Sequence, residues 1–500
     1  MERISVSRLA TADARRPAAA GLRRLRLQLE PLGLARLLAQ NAGLVATIFG
    51  ISLAASVFVN EALARHRAFQ SNAYDLGFFD QIIWNTSQGR FFQTSFVSYN
   101  FLGQHFDPVL LLFAGFYRLG AGIEFLVIAQ AVAVALAALP LFLAARHISG
   151  NQAIAALCSG AFLLSAPIHE AVWFDFHPEA AVFLFLFLGV YFLVADRPLA
   201  ACIAVLPLLS LKEDMALVVL VFAAFAWFRG HRRPAAWLAG AAALWLIATV
   251  FVVMPLLHDG DSDLTRRYTY LWAGSSTLEF APVAAARALE HFEEFTLSGF
   301  LGLLSSLAFL PLLSPVGVVA AVPLVLVNGL SDHPEQSQLQ LHYGVPALAV
   351  FWLATLLALD KLRRAYGHHA MLHSVPAVAA GLLLVGALHG FVTESPFSPG
   401  RSSPELPHSQ RDALKAALRV LPGGASASAQ STILPHVSQR RHVYEFPDIR
   451  QADYIVIDAR LPVSAQSKAS GYHAVLESLH ARGYERVLDR DGVQVWRRAQ

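Results

Sequence analysis

Long runs of apolar residues, broken by short polar or basic stretches, extend along the chain from residue 42 to residue 392. Runs such as 42–63, 123–145 and 237–257 are about 20 residues long, and charged side chains within them lie close to an end. An α-helix of this length crosses a hydrocarbon core of about 30 Å. The pattern predicts membrane-spanning helices in eleven places, which are 42–63, 123–145, 152–168, 180–195, 198–211, 214–228, 235–257, 298–313, 315–329, 343–360 and 374–392.

The last part of the chain has a different pattern. A linker rich in Pro, Ser and Gly at 395–400 is followed by stretches with helical periodicity and by short stretches of β-branched and aromatic residues. We therefore predict a small α/β domain over residues 393–500. Its expected helices are 410–421 and 467–481, and its expected strands are 454–458, 486–488 and 493–496.

Composition strengthens the membrane interpretation. The chain is 56% hydrophobic and only 15% charged, whereas soluble domains carry about 25% charged residues. The two cysteines, Cys158 and Cys202, lie inside apolar segments and do not indicate a disulfide framework. The formal net charge of +3 is too small to indicate a nucleic-acid partner. The fold class expected is mainly α, a polytopic transmembrane bundle of about eleven helices with a small extracytoplasmic domain.

Basic residues predict the orientation. Segment 1–41 is rich in arginine, so the positive-inside rule places it in the cytoplasm. The helix count then places the later basic clusters at 146–147, 229–233 and 361–364 on the same side. We expect a multi-pass protein of the inner (plasma) membrane. Its outer loops would be 64–122, 169–179, 258–297 and 330–342, and the domain 393–500 would also lie outside.

Polar residues in the first predicted outer loop are candidates for function. Asp80 and Trp84 would share one face of an amphipathic helix along the membrane surface, because they are spaced i, i+4. Tyr74 and Asp75 lie near its start, where a carboxylate is either a helix cap or a reacting group. Later in the loop, Asp107 is expected to cap a short helix that begins at Pro108.

Two further clusters carry chemically useful side chains. Asp175, His177 and Glu179 alternate along the chain, so in extended backbone they would point the same way. Such a set suits a divalent cation, a phosphate bound by protonated His, or a base with its supporting partner; the alternative is a solvated loop. Lys212 interrupts an apolar run, either to pair with a neighbouring carboxylate or to neutralise a phosphate.

The remaining candidates are His105, which capping does not explain, and the late residues Gln338, His342 and Tyr343, which either contact a sugar or form a loop. Under the predicted topology all of these polar clusters face the outer side. Charged residues at membrane depth are costly and usually face a cavity or a partner. Their collection on one side indicates an outward-facing site.

The motifs Tyr74-Asp75-Leu76-Gly77, Gly103-Gln104-His105-Phe106, Phe174-Asp175-Phe176-His177-Pro178-Glu179, Lys212-Glu213-Asp214 and Gln338-Leu339-Gln340-Leu341-His342-Tyr343 together resemble a family of bacterial multi-spanning proteins, domain of unknown function 2079. That family is similar to the C-type glycosyltransferase superfamily (GT-C). The resemblance implies a GT-C-like bundle and a sugar donor linked to polyprenyl phosphate. It also implies that Asp75, with its neighbour Asp80, corresponds to a critical first-loop Asp.

The same resemblance implies that Asp175, His177 and Glu179 are metal ligands or acid–base partners. We expect Asp75, Asp80 and His177 to be catalytic, and Asp175 and Glu179 to be candidate ligands of a divalent cation. Substrate contacts are expected from Tyr74, Trp84, His105, Lys212, Gln338, His342 and Tyr343. The partners would be membrane lipid, a polyprenyl-phosphate-linked sugar and an acceptor that the sequence does not identify.

Three functions fit the sequence. The leading one is a membrane-embedded glycosyltransferase that acts on the outer face. The second is a transporter or lipid flippase, which should place polar residues along both halves of the membrane. The third is a noncatalytic envelope scaffold, which gives the buried charges no purpose.

Overall fold

A computed structural model describes residues 38–258, 267–271, 273, 280–369, 371–401, 406–461, 463 and 468–499. Nearly all of the predicted cytoplasmic segment 1–41 and part of the predicted outer loop 258–297 lie outside the described residues.

Apolar helices form the body of the described protein. Five are long and apolar enough to cross a membrane, namely Ala42–Arg67, Ile123–Ser149, Arg232–Leu257, Val345–Tyr366 and Val375–Thr393. Four shorter apolar helices are Pro178–Val194, Pro198–Ser210, Met215–Phe228 and Pro315–Gly329. Helices Gln152–Leu163 and Ala166–Trp173 form a pair bent by 45°. At this bend His169 Nε2 lies 2.7 Å from the Leu163 carbonyl oxygen, which gives the broken helix end a partner.

Ten of the eleven predicted windows coincide with these helices. The window 298–313 does not form one helix, because helix Leu297–Ser305 ends before the separate 3-10 turn Leu310–Leu313. Ala308 and Phe309 between them adopt left-handed backbone, with φ of 49° and 55°. Pro311 adds to the break, since proline lacks the N–H that would continue a helix.

The bundle surrounds one central helix. Most of Val345–Tyr366 is buried, and Phe351 and Trp352 are completely enclosed. The outer helices instead expose large apolar side chains such as Phe49, Trp237 and Phe251. A soluble protein would cover such a surface, whereas lipid solvates it.

Shorter helices build the predicted outer side of the molecule. They are Phe78–Ser87, Leu110–Arg118, Phe280–His291, Leu297–Ser305 and Pro334–Ser337. A π-helical turn, Ala73–Gly77, leads into Phe78–Ser87. That helix was expected to lie along the membrane surface, but nine of its ten residues are buried. The physical reason is that its apolar side chains pack against helices Leu110–Arg118 and Ile123–Ser149, while the C-terminal domain covers its polar side. There Gln81 Nε2 donates a hydrogen bond of 3.0 Å to the Arg440 carbonyl.

The C-terminal domain is the α/β unit expected. Its helices are His408–Val420 and Tyr472–Glu477, and its strands are β1 Ala427–Ala429, β2 Val443–Glu445, β3 Tyr454–Asp458, β4 Tyr484–Arg490 and β5 Val493–Arg498. The strand order is β2-β1-β3-β5-β4. Strand β1 runs parallel to β2 and β3, and β5 runs antiparallel to β3 and β4.

The sequence missed β1 and β2, because each has only three residues and neither shows a β-branched run. The second predicted helix, 467–481, is reduced to the six residues Tyr472–Glu477, and residue 467 lies outside the described residues.

Candidate functional site

A cavity of about 900 Å³ opens among the polar segments, and we call it the outer cavity. It is bounded by the first outer loop, the loop after Trp173, the start of helix Met215–Phe228 and the segment before helix Val345–Tyr366. Eight of the twelve residues expected at the site line it, which are Tyr74, Asp75, His105, His177, Glu179, Lys212, His342 and Tyr343. The tertiary structure thus brings together motifs that are far apart in the sequence.

Asp75 and two histidines form one wall of the outer cavity. His177 Nε2 lies 3.3 Å from Asp75 Oδ1, and the Asp75 side chain keeps 22% exposure. The His177 ring stacks on His342, with ring centroids 3.6 Å apart and planes 14° from parallel. Tyr343 extends this stack, with its centroid 4.0 Å from that of His342. A partly exposed carboxylate is therefore held by a ring that is itself fixed by stacking.

The pKa values of the two stacked histidines are shifted in opposite directions. Burial lowers the pKa of His177, but its hydrogen bond to Asp75 and the carboxylates of Glu179 and Asp175 outweigh burial, so the pKa is raised. Burial and the positive charge of His177 hold the pKa of His342 well below its usual range. The arrangement therefore favours the charged form of His177 beside the neutral form of His342, which avoids two like charges in contact.

Lys212 supplies a fixed cation on another wall. Its Nζ lies 3.4 Å from Glu179 Oε1, and both side chains are largely buried. Burial lowers the pKa of Lys212, but Glu179, Asp214 and Glu213 raise it by more, so the ammonium stays charged. The sequence left open a pairing of Lys212 with an adjacent carboxylate; the partner is instead Glu179 from the preceding motif.

Glu213 organises the loop that carries His105. Its Oε1 lies 3.1 Å from His105 Nδ1, and its Oε2 accepts a hydrogen bond of 2.9 Å from the Phe106 backbone N–H. Burial raises the pKa of Glu213, but the His105 and Lys212 charges outweigh it and lower the pKa to about 2. The glutamate therefore remains ionised and fixes this loop against the start of helix Met215–Phe228.

Asp107 also lines the outer cavity instead of capping a helix as predicted. The helix begins at Leu110, and only the backbone carbonyl of Asp107 bonds its first turn, at 3.1 Å from the Leu110 nitrogen. Among the described residues, Asp107 Oδ1 has no hydrogen-bond partner. Burial, followed by repulsion from Glu213 and Glu179, raises the pKa of Asp107 well above its usual range.

The residues Asp175, His177 and Glu179 do not point the same way, which corrects the expectation from their alternation. The backbone at Asp175 is left-handed, with φ of 47°, and Pro178 starts a 3-10 turn, so the segment is not extended. Asp175 pairs with Arg65 and accepts a hydrogen bond of 2.8 Å from the Asn72 backbone N–H. Each of the three side chains therefore contacts a different partner: Arg65, Asp75 and Lys212.

This separation also bears on the expected cation. Asp175 contacts Arg65, and Glu179 contacts Lys212, so each expected ligand already faces a positive charge. Within the described ranges, no group of three or more His, Cys, Asp and Glu side chains has the arrangement of a metal site. Asp175 and Glu179 do not fit a shared cation in this arrangement.

Three other expected site residues lie outside the cavity lining. Asp80 is completely buried and accepts hydrogen bonds from Tyr117, Ser438 and Gln439 at 2.5, 2.6 and 3.1 Å. Trp84 packs under the Arg90 guanidinium, whose carbon lies 5.1 Å from the ring centroid. The Gln338 side chain accepts a hydrogen bond of 2.7 Å from Gln340 Nε2.

Gln338 has a positional role through its backbone. A Cβ built on Gly299 would lie 1.9 Å from the Gln338 carbonyl oxygen, so only glycine allows this approach. The contact fixes the segment that carries His342 and Tyr343 against helix Leu297–Ser305.

Sequence reasoning missed two arginines. Arg267 lines the outer cavity and donates from Nη1 to Gln336 Oε1 at 2.5 Å. Arg65 anchors Asp175 and lies over the Trp173 ring, 4.6 Å from its centroid. The signal for Arg65 was its position: it follows an apolar span at the predicted outer end, where the positive-inside rule disfavours arginine.

An apolar groove of about 580 Å³ adjoins the outer cavity, and we call it the outer groove. The two share His105, Lys212, Arg267, His342 and Tyr343, together with Gln104. From this shared polar wall the outer groove extends between membrane helices along Leu217, Leu246, Val250, Phe251, Leu326 and Val327. Phe251 and Leu326 are exposed on the lipid-facing surface. The combined space therefore suits an amphiphile with an anionic head and an apolar tail.

Comparison with solved structures shows the fold. ArnT from Cupriavidus metallidurans in the apo state is 13% identical, with a TM-score of 0.50 over 90% of this chain and 97% of that chain. The same protein bound to undecaprenyl phosphate is 14% identical, with the same TM-score and coverage. The Archaeoglobus fulgidus oligosaccharyltransferase tethered with an acceptor peptide is 12% identical, with a TM-score of 0.42 over 91% and 74% of the two chains.

At this level of identity the likeness to ArnT describes the fold alone, and it confirms the GT-C-like helical bundle expected from the sequence. No curated protein matches the chain. The family comparison covers residues 65–495, which include the outer cavity, the outer groove and the C-terminal domain. The chain therefore belongs to the family described as predicted membrane protein (DUF2079).

Proposed function

We propose that this membrane protein is a glycosyltransferase that moves a sugar from a polyprenyl-phosphate donor to an acceptor on the outer face of the inner membrane. In this proposal residues 1–41 lie in the cytoplasm, and residues 393–500 form an extracytoplasmic domain. The observation that carries the proposal is the continuity of the outer cavity with the outer groove through Lys212 and Arg267. A polyprenyl tail fits the apolar groove, and its phosphate fits the two cations at the junction.

Asp75 is the proposed general base. It accepts the proton of an acceptor hydroxyl, whose oxygen forms a bond to the anomeric carbon of the donor sugar. The bond from that carbon to the phosphate oxygen breaks at the same time, and the electron pair leaves with the polyprenyl phosphate. Attack opposite the leaving group inverts the configuration at the anomeric carbon.

The other residues position the reacting groups and stabilise charge. Protonated His177 orients Asp75 through the 3.3 Å contact. Lys212 and Arg267 face the position proposed for the leaving phosphate, where fixed cations stabilise the negative charge that develops. Tyr74 and Tyr343 line the outer cavity and would contact sugar hydroxyls there. A structure of ArnT bound to undecaprenyl phosphate supports a donor of this chemical class in this fold.

The filled centre of the bundle favours transfer over transport. Phe162, Phe187, Phe351 and Trp352 are completely buried in one apolar core, in which the Trp352 ring contacts Phe162 and Phe187. A transporter needs a polar path through both halves of the membrane. In the described helices this core offers no polar side chain for such a path at these four positions.

The test uses the full chain in lipid nanodiscs with a series of polyprenyl-phosphate sugars and membrane-extracted acceptors. The expected result is release of polyprenyl phosphate together with an inverted glycoside, detected by mass spectrometry and NMR. Reconstituted vesicles provide the competing assay. If the chain moves intact lipid-linked sugar across the bilayer and never breaks the sugar–phosphate bond, the transporter interpretation replaces this proposal.

A further inference from the structure

A second apolar groove, of about 730 Å³, lies at the opposite ends of three helices that reach the outer cavity or the outer groove, and we call it the basic groove. These helices are Met215–Phe228, Pro315–Gly329 and Val345–Tyr366. They present Lys212, Leu330 and His342 near one end and Arg229, Val316 and Arg364 near the other. The basic groove shares no lining residue with the outer groove.

The walls of the basic groove are those of a site for hydrocarbon. Val221, Phe225, Ala320, Leu353 and Leu357 line it. At its edges Phe228 and Val316 expose 78% and 68% of their surface. In a membrane this opening faces the acyl chains of the bilayer, so hydrocarbon can enter from the side.

The mouth of the basic groove is charged. Arg229, Lys361 and Arg364 line it together with one carboxylate, Asp360. Asp360 Oδ2 accepts a hydrogen bond of 2.6 Å from Arg364 Nη2 and lies 3.7 Å from Arg229 Nη1. Lys361 Nζ lies 3.3 Å from the Leu313 carbonyl oxygen.

Three cations that line the groove therefore surround one anion. Asp360 Oδ1 also lies 3.2 Å from Arg363 Nη2, so this carboxylate holds three guanidinium groups together at the membrane end of the groove. The mouth carries a net positive charge, which favours an anionic partner. Guanidinium groups are well suited to a phosphate, because their N–H groups match its oxygens.

We propose that the basic groove is a binding site for an anionic phospholipid. Its phosphate would contact Arg229, Lys361 and Arg364, and its acyl chain would lie along Phe225 and Leu353. Basic pockets between membrane helices bind such headgroups because the positive charge and the apolar wall act on the same molecule. The positive-inside rule assigns this end to the cytoplasm, so the lipid would lie in the leaflet opposite the outer cavity.

A polyprenyl phosphate has related chemistry, but the geometry favours the phospholipid. The basic groove shares no lining residue with the outer cavity or the outer groove, and Phe351 and Trp352, which lie between the ends of helix Val345–Tyr366, are completely buried. The grooves therefore give a bound carrier no shared route to Asp75. A resident phospholipid needs no such route. It would fix the relative positions of the three helices that also carry Lys212 and His342.

The experiment measures lipid binding to the full chain in detergent by native mass spectrometry and in nanodiscs by fluorescence competition. The probes are cardiolipin, phosphatidylglycerol, phosphatidylethanolamine and undecaprenyl phosphate. We expect both anionic phospholipids to bind in preference to phosphatidylethanolamine. The triple variant Arg229→Gln, Lys361→Gln, Arg364→Gln should lose at least about tenfold in affinity for them.

Arg146→Gln is the matched control, because Arg146 is exposed on the same predicted side and does not line the groove. It should keep wild-type lipid affinity. Ala224→Trp tests the groove itself, since Ala224 is exposed and lines it without a charge. This variant should keep the wild-type unfolding temperature of the delipidated protein and displace the lipid.

The proposal is overturned if the triple variant binds phosphatidylglycerol and cardiolipin like the wild type, or if phosphatidylethanolamine competes equally. It is also overturned if the triple variant loses only undecaprenyl phosphate, because the groove would then hold the carrier. None of these outcomes depends on whether the outer cavity transfers a sugar.

Discussion

Asp75 and Asp80 lie in the same outer-loop segment, yet their surroundings are opposite. The Asp75 side chain is 22% exposed to the outer cavity, with His177 3.3 Å from its Oδ1. Asp80 has no exposed surface, and its oxygens accept hydrogen bonds from Tyr117, Ser438 and Gln439. A residue type alone therefore does not identify a reacting carboxylate, because only a group with accessible lone pairs can take a proton from a substrate.

The two carboxylates have different tasks as a result. Burial raises the pKa of Asp80 to about 6, although the hydrogen bonds from Ser438, Tyr117 and Gln439 oppose it. Two of these partners belong to the C-terminal domain, so Asp80 joins that domain to the first outer loop. Gly77 lies in the same interface, where a Cβ would approach the Leu434 side chain to 2.8 Å. Docking at Asp80 thus fixes the segment that positions Asp75.

The largest expected effect separates these two roles. Asp75→Asn should lower the rate of sugar transfer about 10²- to 10⁴-fold, because the amide cannot accept the acceptor's proton. Asp80→Asn is the matched control and should transfer close to the wild-type rate. Its amide oxygen still accepts from Tyr117 and Gln439, and its NH₂ can donate to Ser438, which bonds the Pro435 carbonyl. Equal losses in the two variants would contradict the division of roles.

Lys212→Met should have the next largest effect. It leaves Glu179 charged and largely buried, which costs about 3–5 kcal/mol of unfolding free energy. The double variant Lys212→Met, Glu179→Gln should recover part of the lost stability in thermal unfolding, because only Asp214, Glu213 and Asp107 then lack the Lys212 charge. It should not recover the transfer rate, since the phosphate has lost its cation. Recovery of both properties would show that Lys212 is only structural.

Removal of the Asp80 side chain should have a smaller effect. Asp80→Ala leaves the Tyr117 hydroxyl and the Gln439 amide without their acceptor, which costs about 1–3 kcal/mol. We expect faster limited proteolysis between the helical bundle and the C-terminal domain, while Asp80→Asn resists protease like the wild type. An unchanged cleavage rate in Asp80→Ala would show that this carboxylate does not hold the domain.

The smallest expected effect is a pH dependence from the outer cavity. The pKa of His177 is raised above its ordinary value of 6.5, so its ion pair with Asp75 stabilises the fold fully below pH 6.5. That contribution is lost as the pH rises through the raised pKa. The unfolding temperature of the wild type should therefore fall in this range relative to that of His177→Gln. Parallel curves for the two proteins would exclude the ion pair as the cause.

Local sequence patterns predicted the parts of the protein whose causes are local. Ten apolar windows coincide with helices because a run of apolar residues needs both lipid and internally bonded backbone. Strands β3, β4 and β5 were predicted from their β-branched and aromatic residues, and the predicted strand 486–488 lies within β4. Window 298–313 was predicted as one helix, whereas the structure breaks it. Hydropathy carries no information about the left-handed backbone at Ala308 and Phe309.

The sequence by itself determined the membrane class, the C-terminal α/β domain, the family resemblance and eight of the residues that line the outer cavity. Only the tertiary structure decided which polar groups remain available. In the structure Arg65 pairs with Asp175, Glu213 contacts His105, and three donors bond to Asp80. The Asp75 side chain remains partly exposed. The physical reason is that a side chain's availability depends on partners from distant segments, and no local pattern records where those partners lie.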